Sequence, residues 1–123
     1  RIAYGDARER LPFLFESCEL SGIYINFPDP WPKKRHIKRR LIKPAFVKIL
    51  ADKVIQGKEI HLATDSESYA KEMLDYFEAE TSLKNNIGEM EFLYNRENTP
   101  KTKYEKYFIK AGEKIYYLNF IKK

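Results

Sequence analysis

A chain of 123 residues, 43% hydrophobic and 33% charged, has the size and make-up of one globular domain or part of one. No apolar run is long enough to span a membrane, and the single cysteine, Cys18, excludes an internal disulfide or a multi-cysteine zinc site. The net charge of +5 is local: residues 33–43 hold seven Lys/Arg and no acid, so without them the balance becomes −2. A patch of that density suits a polyphosphate backbone, the plainer alternative being a solvated helix face or a localisation-type run. Cys18 reads as a small buried side chain rather than a nucleophile, in a reducing, intracellular setting.

In chain order, residues 1–4 read as a short strand and Gly5-Asp6-Ala7 as a loop at its end. A start on Arg1 within a strand-like stretch reads as cut from a longer protein. Residues 8–15 are helical or irregular. Residues 22–27 are predicted as a strand apolar on both faces, as a central parallel strand would be. Pro44 opens a helix, because its missing N–H costs nothing at the first position, and Phe46, Val47, Leu50, Ala51 and Val54 form its stripe with Gly57 as the stop.

Residues 59–64 form the next strand. Asp65 or Ser66 caps a helix buried through Tyr69, Ala70, Met73, Leu74 and Phe77. A turn at 85–88, a strand at 90–94 and a polar loop with Pro100 follow. Thr102-Lys103-Tyr104-Glu105 has the form of a capping box opening a helix that ends near Gly112, and residues 114–120 make a last strand. Alternating strands and helices imply an open α/β sheet, whose ligands bind beyond the carboxyl ends of the strands. Asp6, Asp29 and Asp65 all follow predicted strands, so parallel pairing would turn three carboxylates toward one crevice. Singly, Asp6 and Asp65 are better explained by turn or cap chemistry, but the coincidence of all three with the basic run between them favours a functional crevice.

The run Phe27-Pro28-Asp29-Pro30-Trp31-Pro32-Lys33-Lys34-Arg35-His36, followed by Lys38-Arg39-Arg40, joins a rigid turn holding one carboxylate and one indole to a dense cationic stretch. It resembles the signature of the bacterial tRNA (guanine-N7)-methyltransferase family. Thr64-Asp65, Thr102-x-Tyr104-Glu105 and Gly5-Asp6-Ala7 match the same pattern, so the resemblance covers essentially the whole chain. It implies a Rossmann-like class I methyltransferase fold, of which residues 1–123 are the C-terminal portion of a seven-stranded mixed sheet. S-adenosylmethionine is the implied methyl donor. The upstream Gly-rich loop and the ribose-holding acid of that family are absent from this chain, so the fragment alone is expected to be inactive and poorly stable, with an exposed edge and an apolar face.

The resemblance implies transfer of a methyl group to N7 of guanine 46 in the tRNA variable loop. N7 carries an in-plane lone pair, so no base is needed, and alignment of nucleophile, methyl carbon and sulfur dominates. A fixed anion near the purine stabilises the charge the ring gains. Asp29 is the implied catalytic and cofactor-side carboxylate, accepting from the guanine N1–H and N2 edge, its backbone restricted by the flanking prolines. Asp6 is implied to accept from the cofactor's adenine amino group, with Ala7 offering backbone contacts.

Lys33, Asp65, Thr102, Lys103, Tyr104 and Glu105 are the implied substrate-binding positions, and Arg35, His36, Ile37, Lys38, Arg39 and Arg40 the implied RNA-binding stretch. Trp31 is read as stacking on a base or packing structurally, in equal measure. His36 is as readily a spectator as a phosphate contact, and His61, inside a strand, is a core residue. No metal and no membrane contact are expected. The Trp-Pro after Pro-Asp-Pro resembles the bacterial form rather than the eukaryotic relatives that work with a separate propeller subunit, so no obligatory protein partner is implied, and the setting is cytoplasmic. Two rivals stay open: an amino-group nucleic-acid methyltransferase, whose Asn/Asp-Pro-Pro-aromatic order this sequence breaks, and a non-catalytic RNA-binding piece.

Overall fold

Strand β1 (Ile23–Asn26) lies parallel to β2 (Glu59–Thr64), with Ile23 opposite Ile60 and Asn26 opposite Ala63. The computed structural model describes residues 15–28, 30, 33–94 and 114–123. The strand expected at 1–4, the Gly5-Asp6-Ala7 loop and the capping-box helix from Thr102 lie outside them. On the other side of β2, β5 (Tyr116–Lys122) runs antiparallel, from Glu59 opposite Ile121 to Thr64 opposite Tyr116. The far edge of β5 carries two short strands in line. Its end pairs with β3 (Leu83–Asn85) and its start with β4 (Leu93–Tyr94), both antiparallel. β2, β3 and β4 thus share one direction with β5 reversed between them, giving a mixed sheet in the order β1-β2-β5-β3.

Two helices cover one face. α1 (Pro44–Lys53) opens on Pro44 at its first turn as expected, and Phe46, Val47, Leu50 and Ala51 are buried. It stops at Lys53, not at Gly57. Val54 turns extended to make a parallel bridge with Leu20, and Gly57 serves the following turn at φ +82 with its N–H on the Lys122 carbonyl. α2 (Glu67–Glu78) is capped by Ser66, whose Oγ accepts from the Tyr69 N–H at 3.2 Å, and buries the five residues its periodicity predicts. Both helices share one core with Ile60, Leu62, Leu118 and Phe120, and the rings of Phe77 and Phe120 lie 5.1 Å apart at its centre.

The opposite face is more polar. Tyr24, His61 and Asn119 form one cross-strand row, and a small cluster of Ala63, Ile115 and Tyr117 lies nearer the carboxyl end, with Phe27 packed on it. His61 is therefore only half-buried rather than a core residue: Nδ1 lies 2.9 Å from Asn119 Nδ2 and Nε2 lies 3.2 Å from Glu59 Oε2. Tyr24 is 71% exposed, so β1 is not apolar on both faces. Cys18 is exposed as well, at φ +55 in a turn whose N–H bonds to the Asp52 carbonyl, correcting the expectation of a buried thiol.

Candidate functional site

The parallel pairing of β1 and β2 brings their carboxyl ends side by side, which is the arrangement the crevice expectation requires. Phe27 continues the pairing one step beyond β1, its N–H donating to the Ala63 carbonyl at 2.7 Å. Its φ is +53, a left-handed conformation rare for a bulky side chain and costing of order 1–3 kcal/mol. Packing of its ring on Ala63, Ile115 and Tyr117 holds it there. The chain thus leaves the sheet sharply just before Pro28-Asp29-Pro30. Beside it, Asp65 follows β2 directly and is half-buried. The cap of α2 falls to Ser66, whose own N–H bonds to Thr64 Oγ1, so Asp65 is not the capping residue.

β4 and β5 meet at the same edge, with Tyr94 opposite Tyr116. The connection 95–115, which contains Thr102, Lys103, Tyr104 and Glu105, therefore departs from and returns to the edge that Asp65 occupies. Those four residues, together with Trp31 and the two implied to face the methyl donor, Asp6 and Asp29, lie outside the described residues.

The basic run forms a short 3-10 helix, Lys34–Arg39, closed by the His36 N–H on the Lys33 carbonyl and the Arg40 N–H on the Ile37 carbonyl. Lys33, Lys34, Arg35, Lys38 and Arg39 are exposed, while His36 and Ile37 are half-buried. Five cations along so short a stretch make a surface that attracts a polyanion.

Arg40, the last residue of the implied RNA-binding stretch, departs from this pattern of exposure. It is 2% exposed and faces inward. Nε donates to the Pro30 carbonyl, NH1 pairs with Glu72 Oε2, NH2 donates to Ser68 Oγ at 3.0 Å, and the guanidinium carbon lies 4.7 Å from the centre of the Tyr69 ring. Lys43 Nζ and the Tyr76 hydroxyl each donate to Glu72 Oε1 at 2.8 Å, so two of the seven cations serve the interior. Burial works against the Glu72 carboxylate, but hydrogen bonds from Lys43, Tyr76 and Arg40 outweigh it and hold its pKa below the ordinary value. Burial likewise pushes the Tyr69 phenol up; its oxygen accepts from the Ile42 N–H at 2.9 Å. Glu72 and Ser68 carry no signal of this role in the sequence beyond flanking the apolar stripe of α2, and Tyr69 none beyond belonging to it.

Among the described residues no group of three or more His, Cys, Asp or Glu is placed to hold a metal ion, and no helix is long and apolar enough to cross a membrane.

Residues 1–118 match the model of a family described as "Putative methyltransferase". The chain is 42% identical over its whole length to a tRNA (guanine-N(7)-)-methyltransferase of Alkalilimnicola ehrlichii, covering 52% of that protein. It is 41% identical to the protein of the same name from Halorhodospira halophila, over 94% of this chain and 50% of that protein. A third relative of that name, from Idiomarina loihiensis, is 42% identical over 98% of this chain and 49% of its own. The chain spans about half the length of the curated relatives it matches. With the family-model match spanning nearly its whole length, the chain belongs to this family of putative methyltransferases.

Proposed function

We propose that the protein to which these residues belong is a tRNA (guanine-N7)-methyltransferase that methylates guanine 46 of the variable loop with S-adenosylmethionine as donor. The observation that carries this reading is the side-by-side exit of β1 and β2, with Asp65 at one exit, Pro28-Asp29-Pro30 after the other, and five exposed cations immediately downstream. The relatives' printed names agree with it. The donor supplies an electrophilic methyl group. The chain's own contribution is to hold guanine in line and to set an anion, Asp29, beside a ring that becomes cationic. Lys33, Arg35, Lys38 and Arg39, with His36 and Ile37 between them, form the tRNA-backbone contact, and Asp65 with Thr102, Lys103, Tyr104 and Glu105 completes the substrate side. The fold that goes with this reading is a Rossmann-like sheet of seven strands, of which residues 1–123 form the carboxyl-terminal part, working in the cytoplasm without metal or obligatory protein partner.

The test is to supply the full-length protein with unmodified tRNA and methyl-labelled donor and to map the modified base. N7-methylguanine at position 46 is expected, with Asp29→Ala losing turnover while retaining most of the tRNA affinity. N6-methyladenine would favour the amino-group rival, and tRNA binding without methyl transfer the non-catalytic one.

A further inference from the structure

We propose that Arg40 is a positioning residue: it is the bracket that ties Pro30, the residue after Asp29 in the sequence, and the basic helix to α2 as one unit. The inference rests on the methyltransferase reading above for its catalytic consequence, but its structural half stands on contacts alone. Three N–H groups of one buried guanidinium reach three different places: the Pro30 carbonyl, the Glu72 carboxylate and the Ser68 hydroxyl. The proline ring fixes φ at residue 30, so a pinned carbonyl restricts the chain immediately after Asp29. On the other side of Asp29, Phe27 is fastened to β2 through the Ala63 carbonyl. Phe27 and Pro30 are thus each tied to the fold, one to β2 and the other to Arg40.

The backbone of Arg40 closes the last turn of the basic helix through the Ile37 carbonyl. The next residues dock on the same helix face: the Ile42 N–H bonds to the Tyr69 hydroxyl and Lys43 bonds to Glu72. A tRNA phosphate cannot take over this guanidinium without displacing Glu72, a carboxylate already neutralised within the fold. The seven-cation run divides by role, with the exposed members contacting the polyanion and Arg40 registering that contact with the segment that holds Asp29. The guanidinium spreads its donors over three separate nitrogens in a planar fork, one to each partner, whereas lysine carries all its donors on one nitrogen, so lysine would keep the charge and lose the bracket.

The deciding experiment compares Arg40→Lys, Glu72→Gln and the milder Ser68→Ala in the full-length protein by steady-state kinetics with tRNA, salt dependence of tRNA binding, and amide hydrogen exchange over residues 33–39. A bracket predicts that Arg40→Lys and Glu72→Gln each lower kcat at least about tenfold with KM for tRNA and the salt slope unchanged within about twofold, and that Ser68→Ala, which removes one of the three partners, lowers kcat less, about two- to fivefold, within the net worth of a single hydrogen bond. Exchange should accelerate at His36 and Ile37 in the first two. Glu72→Gln discriminates sharply, because removing an acid beside a basic run should tighten tRNA if Arg40 were a phosphate contact. Arg40→Lys with wild-type kcat, or a flattened salt slope in that variant alone, overturns the proposal. Should the wild-type protein fail to methylate tRNA, the functional reading falls separately, and unchanged exchange in Arg40→Lys still overturns the bracket. If Arg40→Lys does not fold, Glu72→Gln decides by the same kcat and exchange criteria and Ser68→Ala by kcat, a wild-type kcat in either overturning the bracket.

Discussion

Tyr24 and His61 lie face to face across the β1–β2 pair, their ring centroids 4.7 Å apart and their planes within 7°. They sit opposite one another in the parallel register, on the face that α1 and α2 leave uncovered. The stack joins the two strands whose exits form the proposed substrate edge. Tyr24→Ser should lower stability by about 0.5–1.5 kcal/mol, the worth of an aromatic pair beyond its buried area. A lower urea midpoint at unchanged slope is the expected result, and an unchanged midpoint would mean the contact contributes nothing.

Acid should loosen the α2 bracket. The Glu72 pKa is depressed in the fold relative to its ordinary 4.5, so its charged form is favoured by folding. Its contribution is fully present above about 4.5 and is lost as pH falls through the lower, folded value. The stability gap between wild type and Glu72→Gln should therefore be widest near neutrality and shrink progressively below that pH. Denaturant midpoints measured at neutral pH and through the acid range would read it; a gap that stays constant to the acid limit contradicts the assignment.

Salt provides a count of the tRNA contacts. Each phosphate neutralised contributes about 0.7 to the log–log salt slope on single strands and about 0.9 on duplex. Arg35→Ala, Lys38→Ala and Arg39→Ala should each flatten the slope by about that amount and raise Kd for tRNA, leaving the methylated position unchanged. Binding isotherms across a salt series test this, and a triple variant with the wild-type slope would remove the basic helix from the interface.

The core prediction concerns Phe120, fully buried on the central strand against Phe77. Phe120→Ala should cost about 3–5 kcal/mol and Phe120→Leu less than about 1.5 kcal/mol, because the first opens a cavity and the second largely fills it. Thermal or chemical denaturation of the full-length protein would show the difference.

How far the sequence is legible varies with the range of the interaction. The stripe Tyr69-Ala70-Met73-Leu74-Phe77 and the strand 59–64 are written in local periodicity and need no partner to be recognised. β3 is only Leu83-Lys84-Asn85, with an exposed Lys84 and a turn-forming Asn85. It becomes a strand by pairing with the distant β5, through its neighbours in space rather than its own pattern. The end of α1 is set by a bridge from Val54 to Leu20, not by the nearest glycine. Within the candidate site, the turn and its cations are plain in the sequence, but seven neighbouring Lys/Arg look alike there. What separates Arg40 from Arg39 is Glu72, on another element, and only the folded chain brings it near.

The reversed central strand has a consequence for how this sheet is made. Among the described residues, β3 and β4 have β5 as their strand partner, and β2 has it along one entire edge. Glu59 must find Ile121 and Leu83 must find Lys122, pairings that close long loops before they return any stabilisation. Of the described elements, synthesis therefore produces both α-helices and four strands before the segment that unites them leaves the ribosome. Until residues 116–122 slide in between, two strand edges stand open, and that interval is when the chain most needs protection from pairing with a stranger.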